Sequence, residues 1–171
     1  MAEDTVKVLA VGGELARRVA ESMFPDAEID VEFNKISKKN KKKYDIVLSW
    51  NTLMYIPFDK AESYTQELMA HVAPGGQMVL YVVAMEWIAE QILDFQHSNT
   101  WRGLLFGSQK DASKFCKNGF TLIDMRNLCF GAGAHVISAE TGSFVVADTK
   151  VGNHLVICHV PEVKNAQTEE A

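Results

Sequence analysis

The chain predicts an α/β domain built on a mostly parallel sheet. Three observations carry that expectation. Short β-rich apolar runs alternate with segments of helical spacing from Val6 to Val83. The first run ends in Gly12-Gly13 and passes directly into a helical pattern. The stretch Tyr44–Val83 then reads as strand, crossover helix and strand, with Pro74-Gly75-Gly76 closing the helix.

The totals bound the possibilities. At 171 residues the chain suits one domain, long enough to bury a core without disulfides or metals. We expect residues 1–160 to form that domain and 161–171 (PEVKNAQTEEA) to be a polar, frayed tail. A net charge of −5 argues against a general nucleic-acid or membrane-surface binder, because phosphates need a cationic face. The most apolar window, Met78–Phe95, is broken by Glu86, Glu90 and Asp94, so it does not read as a membrane span. Three widely spaced cysteines (Cys116, Cys129, Cys158) and an acidic start without a leader pattern fit reduced thiols and a cytoplasmic location.

Each element follows from its pattern. Val6–Val11 (VKVLAV) is expected as a buried first strand. Glu14–Met23 carries Leu15, Val19, Ala20 and Met23 at helical spacing and stops at Phe24-Pro25-Asp26. Ala27–Phe33 alternates, with Ile29, Val31 and Phe33 on one face and Glu28, Asp30 and Glu32 on the other, as a half-exposed or near-edge strand does. Asn34–Lys43 holds six lysines in ten residues. Such a run reads either as a patch for phosphate or an acidic partner, with Lys38 and Lys41 as candidates, or as a solvated connection, and charge runs are usually solvent-facing. Its shortness matters more. It has room for one short helix or an extended crossover, but not for a further helix–strand unit.

Tyr44–Trp50 is the next strand, Asn51–Phe58 a loop, Asp59–Ala73 a helix and Gln77–Val83 a strand. Met85–Gln96 is expected as a helix, His97–Gly107 as a loop, and Gln109–Lys117 as a helix capped by Ser108 and stopped by Asn118-Gly119. Phe120–Leu128 (FTLIDMRNL) reads as an alternating strand, and Cys129–Ala139 as a glycine- and alanine-rich connection. Ser143–Thr149 and Asn153–Val160 are β-rich runs around Lys150-Val151-Gly152, fitting a hairpin.

This order, with Asp45-Ile46-Val47, then Asn51-Thr52-Leu53-Met54-Tyr55-Ile56, then Val72-Ala73-Pro74-Gly75-Gly76, resembles the class I S-adenosylmethionine-dependent methyltransferases. The resemblance implies a three-layer Rossmann-like sheet. FTLIDMRNL and NHLVICHV would be its last two strands, the final one antiparallel, and one helix–strand unit would be missing between Phe33 and Tyr44. It implies S-adenosylmethionine as cofactor, with Gly12 and Gly13 at its methionine part, Asp30 or Glu32 at its ribose, and Asn51 or Tyr55 near a substrate.

The cofactor residues are also where the chain departs from that family. No acid ends the first strand, where Leu9 and Ala10 stand, and Glu14 and Ala16 replace the later glycines. The acids of the second strand are equally well read as the exposed face of an edge strand. With one helix–strand unit absent, the adenine pocket would be open on one side. A similar set of losses marks the N-terminal domain of the anamorsins, the cytosolic iron–sulfur cluster assembly factors. Ala112–Leu128 resembles their late helix and strand, while their C-terminal cysteine motifs have no counterpart here. That resemblance implies a non-catalytic protein-interaction domain needing no cofactor, with a redox or iron–sulfur assembly protein as partner. The alternative is an active methyltransferase with an atypical glycine loop.

Other residues weigh less. His154 and Cys158 share a strand face and His159 takes the other, too few on either for a structural metal site. Cys116 and Cys129 suit buried apolar positions better than nucleophiles. His71 suits a helix C-terminus better than a base. Trp50 and Tyr55 sit at a strand's C-terminal end, where open α/β sheets bind ligands, but their residue types favour core packing.

Overall fold

The computed structural model describes residues 5–84, 120–146 and 149–161. In chain order it contains β1 (Lys7–Val11), α1 (Gly13–Met23), β2 (Glu28–Glu32), β3 (Tyr44–Trp50), a 3-10 turn (Thr52–Tyr55), α2 (Phe58–Met69), β4 (Val72–Val83), α3 (Leu122–Gly131), β5 (His135–Val146) and β6 (Thr149–His159). The six strands form one sheet in the order β2-β1-β3-β4-β6-β5. β1 to β4 run parallel, and β6 is antiparallel to both its neighbours.

The sheet is the middle of three layers. Val8, Ala10, Leu48 and Val79 face α1 through its Ala16 and Ala20. Leu9, Val11, Val47, Met78, Leu80 and Val156 face the side covered by α2 and α3. Strands buried on both faces read as continuous apolar runs, which is why β1 and the end of β4 were legible.

The reduction by one unit is as the lysine-rich segment suggests. From Phe33 to Lys43 the chain crosses without a helix or strand. Its one anchor in the core is Ile36, which is fully buried. Asn40 N–H closes a turn onto the Ser37 carbonyl, and Lys43 Nζ donates to the Ala70 carbonyl at 2.6 Å. Lys38 and Lys41 remain exposed.

Two expectations are corrected. Pro74-Gly75-Gly76 does not close a helix: α2 ends at Met69, and the triplet lies inside β4, where the β3–β4 register shifts between Tyr44 and Ile46. Gly76 is required there because a Cβ would fall 2.7 Å from the Asp45 carbonyl oxygen. Phe120–Leu128 is not a strand but the start of α3, and the penultimate strand is β5, running from within the segment expected as a connection. Thr121 and Asp124 form a reciprocal capping box, with Asp124 N–H donating to Thr121 Oγ1 and Thr121 N–H to Asp124 Oδ2. Met125 and Cys129, one turn apart, are fully buried. That helical spacing outweighs the alternation read from the sequence. The expected helices at Met85–Gln96 and Gln109–Lys117, the loop between them and Cys116 lie outside the described residues.

Candidate functional site

The C-terminal ends of β1, β2, β3 and β4 converge, and the turns leaving them build the site. Gly12 follows β1 with φ 135°. Its N–H donates to the Glu32 carbonyl at 3.0 Å. A Cβ here would lie 2.6 Å from the Trp50 carbonyl oxygen, so only glycine lets the turn nest against the end of β3. Thr52 Oγ1 donates to the Val11 carbonyl at 3.1 Å and ties the same two strands together.

Asn51 occupies the left-handed region at φ 56° and starts the 3-10 turn. Its N–H donates to the Tyr81 carbonyl at 2.8 Å, while its side-chain Oδ1 is buried without a hydrogen-bond partner among the described residues. A buried acceptor left unpaired costs free energy, so it marks a point where a donor would be welcome.

Trp50 stacks on Tyr81, with ring centroids 3.7 Å apart and planes 1° from parallel. Asn153 Nδ2 donates to the Tyr81 hydroxyl at 2.6 Å. Trp50 is therefore packed in a layer with β4, in line with core packing, whereas Tyr55 is exposed. Beneath the turn, the Ser49 and Tyr64 hydroxyls lie 3.2 Å apart, and burial pushes the Tyr64 phenol up to about 12.

The structure brings Gly12, Gly13 and Asn51 together but leaves Asp30 elsewhere. Asp30 pairs in register with Leu9, two residues before the strand end. Its carboxylate accepts from Lys42 Nζ and from the Tyr44 hydroxyl, both at 2.8 Å, in a cleft also lined by Lys7, Glu28 and Lys43. The Lys42 hydrogen bond, with that of Tyr44, holds the Asp30 carboxyl below the usual carboxylate range. The acid at the strand end is Glu32, register partner of Val11, whose Oε1 accepts the Ser37 N–H at 3.2 Å. Glu14 pairs with Arg18 and Arg17 with Glu21.

Phe33 is the site residue that sequence reasoning left without a role. Its ring lies over Gly13, where a Cβ would fall 2.8 Å from two ring carbons, yet the residue is 73% exposed. Its position directly after an acidic strand end, facing a glycine turn, was the signal available. These residues do not fit S-adenosylmethionine well. The turn that should admit its methionine part is capped by a phenyl ring. The Asn51 acceptor, the Gly12 cradle and Glu32, which has one carboxylate oxygen on the Ser37 N–H and acceptor capacity left over, favour it.

The remaining candidates are structural. His154 is buried, with Nδ1 2.9 Å from Thr141 Oγ1. Cys129 and Cys158 are free and buried, and the Cys158 hydrogen bond together with burial keeps the Cys129 thiol protonated. His71 Nδ1 lies 3.2 Å from the Lys42 carbonyl oxygen. Among the described residues no three His, Cys, Asp or Glu side chains gather as metal ligands, and no helix is long and apolar enough to cross a membrane.

The strand order, the glycine turn after β1 and the antiparallel β6 together define the fold of the class I S-adenosylmethionine-dependent methyltransferases. Solved structures of that class superpose on nearly the whole chain. A Methanosarcina mazei S-adenosylmethionine-dependent methyltransferase is 12% identical, with 94% of each chain covered and a TM-score of 0.63. A chain in the complex of the Haloferax volcanii Trm112 methyltransferase activator with a methyltransferase is 14% identical over 94% of this chain and 84% of its own, at 0.61. Magnesium protoporphyrin IX methyltransferase from Synechocystis, with bound SAH, is 14% identical over 91% and 74%, at 0.54. At such identities the likeness is one of fold. No protein-family profile and no curated protein sequence matches the chain.

Proposed function

We propose that this is a methyltransferase-fold domain that works by docking to another protein and not by transferring a methyl group. The observation that carries the reading is the Phe33 ring over Gly13, which occupies the approach to the glycine turn. The direct crossover from β2 to β3 supports it, because the unit that would wall the adenine is replaced by eleven residues without helix or strand, Phe33 to Lys43. The resemblance to the anamorsin N-terminal domain then assigns the setting: cytosolic iron–sulfur cluster assembly, a redox or iron–sulfur assembly protein as partner, and no cofactor of its own. Residues 1–160 act as the domain and 161–171 as its tail. Lys38 and Lys41 are exposed and offer cations to a partner, Tyr55 is exposed as well, and Trp50 is stacked on Tyr81. The Haloferax complex is a case of a methyltransferase held by a protein activator.

A second reading has its own observation. The unpaired Asn51 Oδ1 beside the Gly12 turn suits a cofactor donor, and an active enzyme would hold S-adenosylmethionine, the methyl donor, with Gly12, Gly13, Asn51 and an acid of β2. Calorimetric titration with S-adenosylmethionine separates the two. The docking reading expects no heat at saturating cofactor. Tight binding by the wild type, abolished in Asn51→Ala, overturns it in favour of the enzyme.

A further inference from the structure

The register of β5 and β6 sets two histidines opposite each other. His135 opens β5, His159 ends β6, and they are direct partners in the antiparallel ladder. Directly opposed residues of such a pair share a face of the sheet, with Cβ atoms about 4.5–5.5 Å apart. His159 follows Leu155 and Ile157 at a period of two, so the shared face is the α1 side. Gln77 of β4 flanks His159 in register on its other side. His135 and Gln77 are exposed, and His159 is partly buried. The sequence period left His159 without a second ligand on its face, and the strand pairing supplies one.

Neither imidazole makes a hydrogen bond or ion pair with another described residue. His71 and His154 differ in this, with Nδ1 against the Lys42 carbonyl and Thr141 Oγ1. A neutral imidazole keeps one ring nitrogen as an acceptor, so two free acceptors are carried at neighbouring points of a hydrogen-bonded ladder. That spacing suits two nitrogens bound to one cation, each at about 2.0–2.1 Å from it. Imidazole selects zinc, copper or nickel over the oxygen-seeking cations. The first acid after His135 in β5 is Glu140, which accepts from Ser138 Oγ at 2.9 Å. No third His, Cys, Asp or Glu joins the pair among the described residues. Two protein ligands leave coordination positions open, unlike the four of a structural zinc site.

We infer that His135 and His159 form a surface site for a divalent transition metal of the zinc and copper type, with water in the remaining positions. The strands hold both backbones in place, so binding orders only the two side chains. The site goes beyond the docking reading and does not depend on it. Gln77 is in register with Ile46, near the start of β3, whereas the glycine turn and Asn51 lie at the far end of that strand. Heat from S-adenosylmethionine would overturn the docking reading and leave the metal result as measured.

The test is calorimetric titration of the full chain, stripped with chelator, with zinc ion in a non-coordinating buffer. The expected result is one equivalent bound per chain, with a melting temperature that rises with zinc and returns on adding EDTA. His135→Ala and His159→Ala should each weaken binding about tenfold or more. The double variant should be little weaker than either single one, because both residues serve one ion. His71→Ala should bind as the wild type does. Copper(II) read by electron paramagnetic resonance should show nitrogen couplings from two imidazoles in the wild type and from one in each single variant. If the variants do not fold, paramagnetic broadening by copper(II) of the His135 and His159 ring resonances in the wild type decides. No binding, full binding kept in both single variants, broadening elsewhere, or half an equivalent with a dimer in sedimentation overturns the inference.

Discussion

The backbone of Gly12 lies so close to Trp50 that a Cβ would come within 2.6 Å of the Trp50 carbonyl oxygen. The glycine turn is thus held as much by the sheet as by any ligand, and its φ of 135° is closed to other residues. Gly12→Ala should cost about 2 kcal/mol or more, from strain and from a clash with backbone that cannot move aside. Chemical denaturation checks this. By the same argument Gly12→Val would damage the fold and is a poor probe of cofactor binding; a substitution of Asn51 is less disruptive.

Phe33 caps the turn from outside. Phe33→Ala removes a mostly exposed ring, so stability should change by no more than about 0.5 kcal/mol, roughly 1–2 °C in melting temperature. On the docking reading the variant still gives no heat with S-adenosylmethionine, because the adenine wall remains missing. Binding gained in Phe33→Ala would show that the ring alone closes the site.

The capping box of α3 predicts a measurable loss. Thr121→Ala leaves the Asp124 N–H without its acceptor and should cost about 1 kcal/mol, lowering the melting temperature by about 2–4 °C. Thr121→Ser should restore most of it. An unchanged melting temperature would mean that packing of Met125 and Cys129 alone holds the helix.

Tyr64 carries an alkaline signature. Its phenol is pushed up to about 12 by burial, against about 10 in the unfolded chain. The folded state then binds the extra proton between these values, so stability is full below about pH 10 and falls as pH rises towards 12. Tyr64→Phe should flatten that slope. It should also cost about 1–2 kcal/mol at neutral pH, since Ser49 loses its partner. Denaturation measured from pH 7 to 11 tests both.

Asp30 acts at the other end of the scale. Its carboxyl is lowered by Lys42 and Tyr44, so its contribution is present above the unfolded value near 4 and is lost as pH falls through the folded one. Asp30→Asn should make acid unfolding less steep, and added salt should shrink the difference because the pair is exposed. An unchanged acid limb would remove Asp30 from the account.

The apolar runs of β1, β3 and β4, the helical spacing of α1 and α2, and the short lysine-rich link were legible because each is a local pattern whose period or length allows one structure. The mostly parallel sheet and its missing unit followed from them, while the strand order came from the structure. The β6 run was legible too, but α3 was misread because FTLIDMRNL satisfies both a strand alternation and a helix with Thr121 and Asp124 as its cap. Only burial of Met125 and Cys129 on one face decides between them.

The site was half legible. Gly12, Gly13 and Asn51 stand out as residue types suited to left-handed or crowded backbone, and the structure gathers them at the ends of β1 and β3. Sequence spacing alone left Asp30 and Glu32 equal. The strand register sends one carboxylate to Lys42 and Tyr44 and leaves the other at the strand end. The sequence alone determined a methyltransferase-like sheet short of one unit and a glycine turn at its C-terminal edge, because hydrophobic period and residue type act over a few neighbours. Tertiary structure decided that Phe33 caps that turn, that Trp50 packs on Tyr81 and that β2 is the end strand among the described residues, because these depend on which strands lie side by side.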